Sequence, residues 1–162
     1  MTRKINLLIV DDEEDFLDAI ARRLELRDFE VTTASDGAQA LKAARKGRFD
    51  LALLDLRMPG MDGREVLQVL KKEHRYIEVV ILTGHGSFDS AVECTKAGAF
   101  DYLPKPYELE GLIEVLKEAY KHRLERKFKD NHEIMAKLGA LAQRELPLNV
   151  LRHLRELDDD EK

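Results

Sequence analysis

Two hydrophobic rhythms alternate along the first two-thirds of the chain. Short runs rich in β-branched residues and leucine occur at 5–10, 29–33, 51–54, 79–82 and 100–103. Each is of strand length, and three are nearly continuous in apolar character, as strands covered on both faces must be. Between them, apolar residues recur at helical spacing: Phe16, Ile20 and Leu24, then Ala40, Leu41 and Ala44 behind a cap at Ser35 or Asp36. Val66, Leu67 and Leu70 follow a turn at 60–63, and Val92 and Ala99 bracket a helix that Gly98 ends. Leu109, Leu112, Ile113, Leu116 and Tyr120 mark a longer helix after Pro106. Five strand–helix alternations predict βαβ units with right-handed crossovers, hence an α/β fold with a parallel sheet between two helical layers. Ligands of such folds bind beyond the carboxyl ends of the strands, so the residues just after each run carry the candidate chemistry.

The first run ends in Asp11, Asp12, Glu13, Glu14 and Asp15. A phosphate cradle would present Gly and Ser here. Crowded carboxylates repel unless a cation compensates, and a hard divalent ion such as Mg²⁺ suits oxygen ligands. The macrodipole of a helix N-terminus accounts for Glu13, Glu14 and Asp15, but less well for Asp11 and Asp12, which end a buried strand. The third run ends in Asp55, followed by a Pro- and Gly-shaped loop from Leu56 through Arg57, Met58, Pro59, Gly60, Met61 and Asp62 to Gly63. Alone, such an Asp could simply cap a turn. The fourth ends in Thr83, Gly84, His85 and Gly86, with Ser87 placed to cap the next helix. The fifth ends in Lys105 between Pro104 and Pro106, where one X–Pro bond could be cis. Each feature has a bland reading as a turn or cap. Together they gather three acids, a hydroxyl and a cation at the ends of four strands.

Composition narrows the setting. The chain has 162 residues, 44% of them apolar and 36% charged, enough for a globular domain with a core of its own. Cys94 is the single cysteine, so an internal disulfide and a Cys-rich zinc site are both excluded, and a reducing, cytoplasmic setting is expected. No apolar run approaches the ~20 residues of a membrane span, and the short run after Lys4 lacks a signal-peptide cleavage pattern. The net charge of −5 argues against the whole chain being a nucleic-acid binder.

Asp11-Asp12, Asp55 with the Met58–Gly63 motif (Met-Pro-Gly-Met-Asp-Gly), Thr83-Gly84, Tyr102 and Lys105-Pro106 closely resemble the receiver domain of bacterial two-component response regulators. The Leu82 to Gly86 segment and the Gly98 to Tyr102 segment look most like receivers of enhancer-binding transcriptional activators. The resemblance covers about residues 4–122. It implies a flavodoxin-like (βα)5 fold, a doubly wound parallel five-stranded sheet of order 2-1-3-4-5. It also implies Asp55 as phosphoacceptor, with Mg²⁺ held by Asp12 directly, by Asp11 through water, by Asp55 and by the Arg57 carbonyl. Thr83 and Lys105 would contact phosphoryl oxygens, and Tyr102 would turn when Thr83 moves. Arg57 and His85 would overhang the phosphoryl group and modify rates. The donor would be a phosphohistidine on a sensor histidine kinase or phosphotransfer protein. The output would be a changed surface on the fourth helix, fifth strand and fifth helix, used by a downstream protein or for homodimerisation.

Other classes share parts of this pattern. Aspartyl-phosphate hydrolases of the haloacid-dehalogenase type have a second Asp two residues after the nucleophile, where this chain has Arg57, so a phosphoacceptor rather than a turnover enzyme is expected. A flavin binder would be repelled by the 11–15 acids. A phosphorylation-independent interaction module would not need the intact site.

Residues 123–162 are expected to form a helical C-terminal extension. Leu124 and Phe128 continue the spacing of the fifth helix through a basic stretch at 121–129. A second apolar series follows at Ile134, Met135, Leu138 and Leu141, then a short helix from Pro147 and an acidic end. The extension reads as a solvated tail or as a dimerisation or partner-binding element, and nucleic-acid binding through the basic stretch ranks last. No P-loop occurs, so the chain is expected to be a receiver without its output domain, either stand-alone or a fragment.

Overall fold

The computed structural model describes residues 3–131 and Ala136. Five strands, β1 (Ile5–Val10), β2 (Phe29–Ala34), β3 (Leu51–Leu54), β4 (Glu78–Thr83) and β5 (Asp101–Pro104), alternate with α1 (Glu14–Glu25), α2 (Gly37–Lys46), α3 (Gly63–Glu73), α4 (Phe88–Lys96) and α5 (Leu109–Asp130). The strands form one parallel sheet in the order β2-β1-β3-β4-β5. The chain divides into two compact units, Met1–Tyr120 and Lys121–Lys162. The apolar series from Ile134 and the helix expected from Pro147 lie outside the described residues.

β1, β3 and β4 occupy the middle of the sheet, and this explains their unbroken apolar character. Leu8, Val10, Ala52, Leu54, Val79 and Ile81 face one side, where Ala40, Leu41 and Ala44 of α2, Val66, Leu67 and Leu70 of α3, and Cys94 of α4 complete a core. The alternate residues Leu7, Ile9, Leu51, Leu53 and Val80 are also buried, as are Leu17, Ile20 and Leu24 of α1 and Leu112, Ile113 and Leu116 of α5. Full burial of such a side chain stabilises by about 1.5–3 kcal/mol, so two closed layers outweigh any single polar term at the site.

Local chemistry sets the helix starts. Asp36 caps α2, accepting from the Gln39 N–H, and Asp62 caps α3, accepting from the N–H groups of Arg64 and Glu65. Ser87 and Ser90 form a reciprocal capping box at α4. Gly98, at φ 102°, turns the chain out of α4.

Three expectations are corrected. β2 and β4 run past the apolar runs because backbone pairing, not side-chain polarity, ends a strand: Glu78 pairs with Leu51, and Thr83 with Pro104. β5 starts one residue later than the run at 100–103. Phe16 is only half-buried, and α1 buries Leu17 in its place beside Ile20 and Leu24.

One glycine has a steric reason to be where it is. The N–H of Gly63 donates to the Leu56 carbonyl at 2.8 Å, drawing the start of α3 onto the backbone behind Asp55. A Cβ at Gly63 would run into the Asp55 carbonyl oxygen and come within 2.8 Å of the Leu56 Cα. Both obstacles are backbone, so neither can swing away. Gly63→Ala is expected to lower unfolding stability by about 1–3 kcal/mol in a urea titration.

Candidate functional site

Sheet register builds the site. Val10 pairs with Leu54, so the residues that follow them, Asp11 and Asp55, stand side by side at the carboxyl edge. The ladder continues through them: the Asp55 N–H donates to the Val10 carbonyl at 2.9 Å, and the Asp11 N–H to the Ala34 carbonyl at 3.1 Å. On the other flank the Lys105 N–H donates to the Thr83 carbonyl at 2.9 Å. Residues up to 94 positions apart in sequence thus meet at one edge of the sheet: Asp11 and Asp55 end adjacent strands, and the Lys105 side chain reaches back from the end of β5 to Asp11.

Asp11, Asp55 and Thr83 are buried, at 1%, 2% and 1% exposure, whereas Asp12 is exposed. One carboxylate oxygen from each of Asp11, Asp12 and Asp55 lies within 4.8 Å of the others, a spacing that could hold a metal ion. Asp11 Oδ1 accepts the Glu13 N–H at 2.9 Å, and Asp55 Oδ1 accepts the Leu56 N–H at 2.8 Å. Each therefore keeps its second oxygen for the cluster.

Lys105 supplies the counter-charge. Its Nζ lies 2.5 Å from Asp11 Oδ2, 3.6 Å from Glu13 Oε1 and 3.8 Å from Asp55 Oδ2. Burial favours the neutral amine, but the hydrogen bond to Asp11 and the charges of Asp11, Asp55 and Glu13 outweigh it, holding the ammonium pKa above its ordinary value. Asp11 is also raised, because burial outweighs its bonds to Lys105 and Glu13 and the Asp55 charge adds repulsion. The peptide bond joining Lys105 to Pro106 is cis.

The Thr83 hydroxyl oxygen accepts the His85 N–H at 3.1 Å. Arg57 and His85 are exposed and share the lining of a hollow with Leu56, Asp62, Ser87 and Glu93. Tyr102 is half-buried, and its hydroxyl lies 2.8 Å from Ser90 Oγ on α4. A Cβ at Gly86 would collide with that hydroxyl, so Gly86 makes the ring position possible. The structure therefore brings Asp11, Asp12, Asp55 and Lys105 into one cluster, and ties Thr83 and Tyr102 to the loop and helix that follow β4.

Two neighbours of this cluster escaped the sequence reading. Ser90 lies near the start of α4, where a serine suits the cap, and nothing in its spacing points to Tyr102. Phe16, read as a core residue, places its ring 4.2 Å from the Lys105 ammonium.

The sequence profile of the response regulator receiver domain matches residues 7–117, and the chain belongs to that family. It is 37% identical over 114 residues to the DNA-binding transcriptional regulator NtrC of Escherichia coli (strain K12), covering 70% of this chain and 24% of that protein. Its identity to the transcriptional regulatory protein PrrA of Mycobacterium tuberculosis is 40% over 117 residues, covering 72% of this chain and 50% of that one. The solved CheY-like receiver domain protein from Methanospirillum hungatei JF-1 matches with a TM-score of 0.74 at 31% identity, over 76% of this chain and 98% of the other. The chain thus spans about a quarter to a half of the length of these two curated relatives.

Because Ser90 Oγ tethers the Tyr102 hydroxyl to α4, Ser90→Ala is expected to release the ring. The Tyr102 ring resonances should shift and its flip rate rise by NMR, while the urea midpoint falls by the equivalent of about 1–2 kcal/mol, since Ser90 also closes the capping box of α4.

Proposed function

We propose that this chain is a phosphorylation-activated switch of a two-component phosphorelay, with Asp55 as the phosphoacceptor. The observation that carries the reading is the pairing of a buried Asp55 with two further carboxylates and a lysine at 3.8 Å. A carboxylate attacking phosphorus meets an anion, so the site must offset repulsion more than it must move protons. Lys105 is placed to do so beside Asp55. Asp11, Asp12, Asp55 and the Arg57 carbonyl would hold Mg²⁺, whose bound charge would neutralise the phosphoryl oxygens.

In the transfer, an Asp55 carboxylate oxygen bonds to phosphorus as the phosphorus–nitrogen bond of a kinase or phosphotransfer phosphohistidine breaks. Lys105 gives up its contact with Asp11 and turns to a phosphoryl oxygen. Thr83 exchanges the His85 N–H for a bond to another phosphoryl oxygen, and Tyr102 responds on the α4-β5-α5 face. Arg57 and His85, at the mouth of the site, modify access and hence rates. Residues 4–122 form the receiver and 123–162 an extension that, with the α4-β5-α5 face, serves a downstream protein or a second copy. Among the described residues no helix is long and apolar enough to cross a membrane, which accords with a cytoplasmic role. The hydrolase reading is not favoured, because Arg57 stands where its second Asp is required.

Acetyl phosphate or phosphoramidate with Mg²⁺ is expected to add one phosphate, seen by intact mass, and Asp55→Asn to abolish the addition. Equal labelling of the Asn variant would remove Asp55 from the role. Mg²⁺ at a hundred times its Kd is expected to stabilise the wild type by about 2.7 kcal/mol. That gain should vanish when Asp12 and Asp55 are both replaced by Asn. It should also shrink as pH falls, because protonation competes with the metal. With Asp11 raised above 3.8, the loss begins at a higher pH than an ordinary aspartate would give. Thermal unfolding with and without Mg²⁺ across pH checks both points.

A further inference from the structure

The Phe16 ring occupies a place that a core residue would not. It sits in the first turn of α1, half-buried, while Leu17, Ile20 and Leu24 of the same helix close the layer beneath it. Its ring lies 4.2 Å from Lys105 Nζ. The face of an aromatic ring attracts a cation, and the attraction grows as water is excluded. Lys105 is well placed to feel it, since its side chain is only 16% exposed.

The ammonium also faces three anions: Asp11 at 2.5 Å, Glu13 at 3.6 Å and Asp55 at 3.8 Å. These partners cannot all persist. A cation bound by the three aspartates competes for Asp11, and a phosphoryl group on Asp55 brings new oxygens. The ring carries no charge and accepts no metal, so its contact survives that exchange of partners. A lysine held only by Asp11 would be free to swing into water once Asp11 turned to the metal.

We infer that Phe16 is a positioning residue for Lys105, a fixed aromatic wall along which the ammonium passes from Asp11 to the phosphoryl oxygens. The inference rests on the phosphoacceptor reading of Asp55. The contact the structure gives Phe16 at the site is with Lys105, so its proposed effect passes through that residue. That requirement separates it from an alternative role in docking a phosphodonor protein.

The test uses the full chain, saturating Mg²⁺ and phosphoramidate, a donor too small to need a docking surface. Initial phosphorylation rates are read by intact mass for Phe16→Leu, Phe16→Tyr, Lys105→Ala, the Phe16→Leu/Lys105→Ala double variant and Asp55→Asn, with urea midpoints measured alongside. Phe16→Leu is expected to slow the reaction by about fivefold, the scale of a partly desolvated cation–ring contact. Phe16→Tyr, which keeps the ring, should restore the rate to within about twofold, because the contact depends on the aromatic face. In the Lys105→Ala background, Phe16→Leu should cost nothing further. An equal loss in both backgrounds, or no loss in either, would overturn the inference, and so would failure of Phe16→Tyr to restore the rate at an unchanged urea midpoint. Asp55→Asn keeps the two claims apart. If it labels like the wild type, the phosphoacceptor reading itself fails. If it is inert while Phe16→Leu matches the wild type, only the role of Phe16 falls.

Discussion

Repulsion among carboxylates at the end of a buried sheet is the constraint on which the rest of this structure turns. Asp11 and Asp55 are almost wholly removed from water, and with Asp12 they bring oxygens within 4.8 Å of one another. Two unit charges at 4 Å interact by about 4 kcal/mol when the effective dielectric constant is near 20. A folded domain has only about 5–15 kcal/mol of stability to draw on, so the cluster is a serious liability. The sheet bears it in two ways. Leucine, isoleucine and valine fill both faces of the central strands, and Lys105 places one positive charge among the acids. The residual negative charge is what the proposed Mg²⁺ would offset.

In the proposed function the same edge would couple that charge to movement. Asp55 and Thr83 end adjacent strands, and the Lys105 N–H is tied to the Thr83 carbonyl, so in the proposed switch an event at Asp55 would reach β4 and β5 together. From there the path is short. Thr83 holds the His85 N–H, Gly86 leaves room for the Tyr102 hydroxyl, and Ser90 carries that hydroxyl into the cap of α4. In the proposed switch these are weak, local and exchangeable contacts, each comparable to a single hydrogen bond. A bistable element needs contacts of this kind, because an equilibrium held by many kilocalories could not be moved by one phosphoryl group. The apolar layers beneath supply the rigidity.

Much of this was legible along the chain. The five apolar runs, a cap at Ser35 or Asp36 that the structure resolves as Asp36, the cap at Ser87 and the stop at Gly98 are local signals, set by φ preference, capping and periodicity. Asp11, Asp12, Asp55, Thr83 and Lys105 could be picked out because an acid or a lysine is anomalous at the end of an apolar strand. Phe16 and Ser90 carried no such anomaly. An aromatic residue at helical spacing reads as core, and a serine near a helix start reads as a cap. Both readings are locally sound, and Ser90 does serve in the cap. Their second roles depend on Lys105 and Tyr102, which lie far along the chain and on other elements.

By itself, then, the sequence determined which segments become strands and helices, and which residue types crowd the strand ends. These follow from interactions within a few residues of one another. The tertiary structure decided what touches what. Parallel register set Asp11 beside Asp55, the Lys105–Thr83 pairing brought the ammonium over them, and the packing of α1 and α4 placed Phe16 and Ser90 against their partners. Those contacts join residues separated by a dozen to ninety-four positions, and only a folded sheet converts such separations into ångströms.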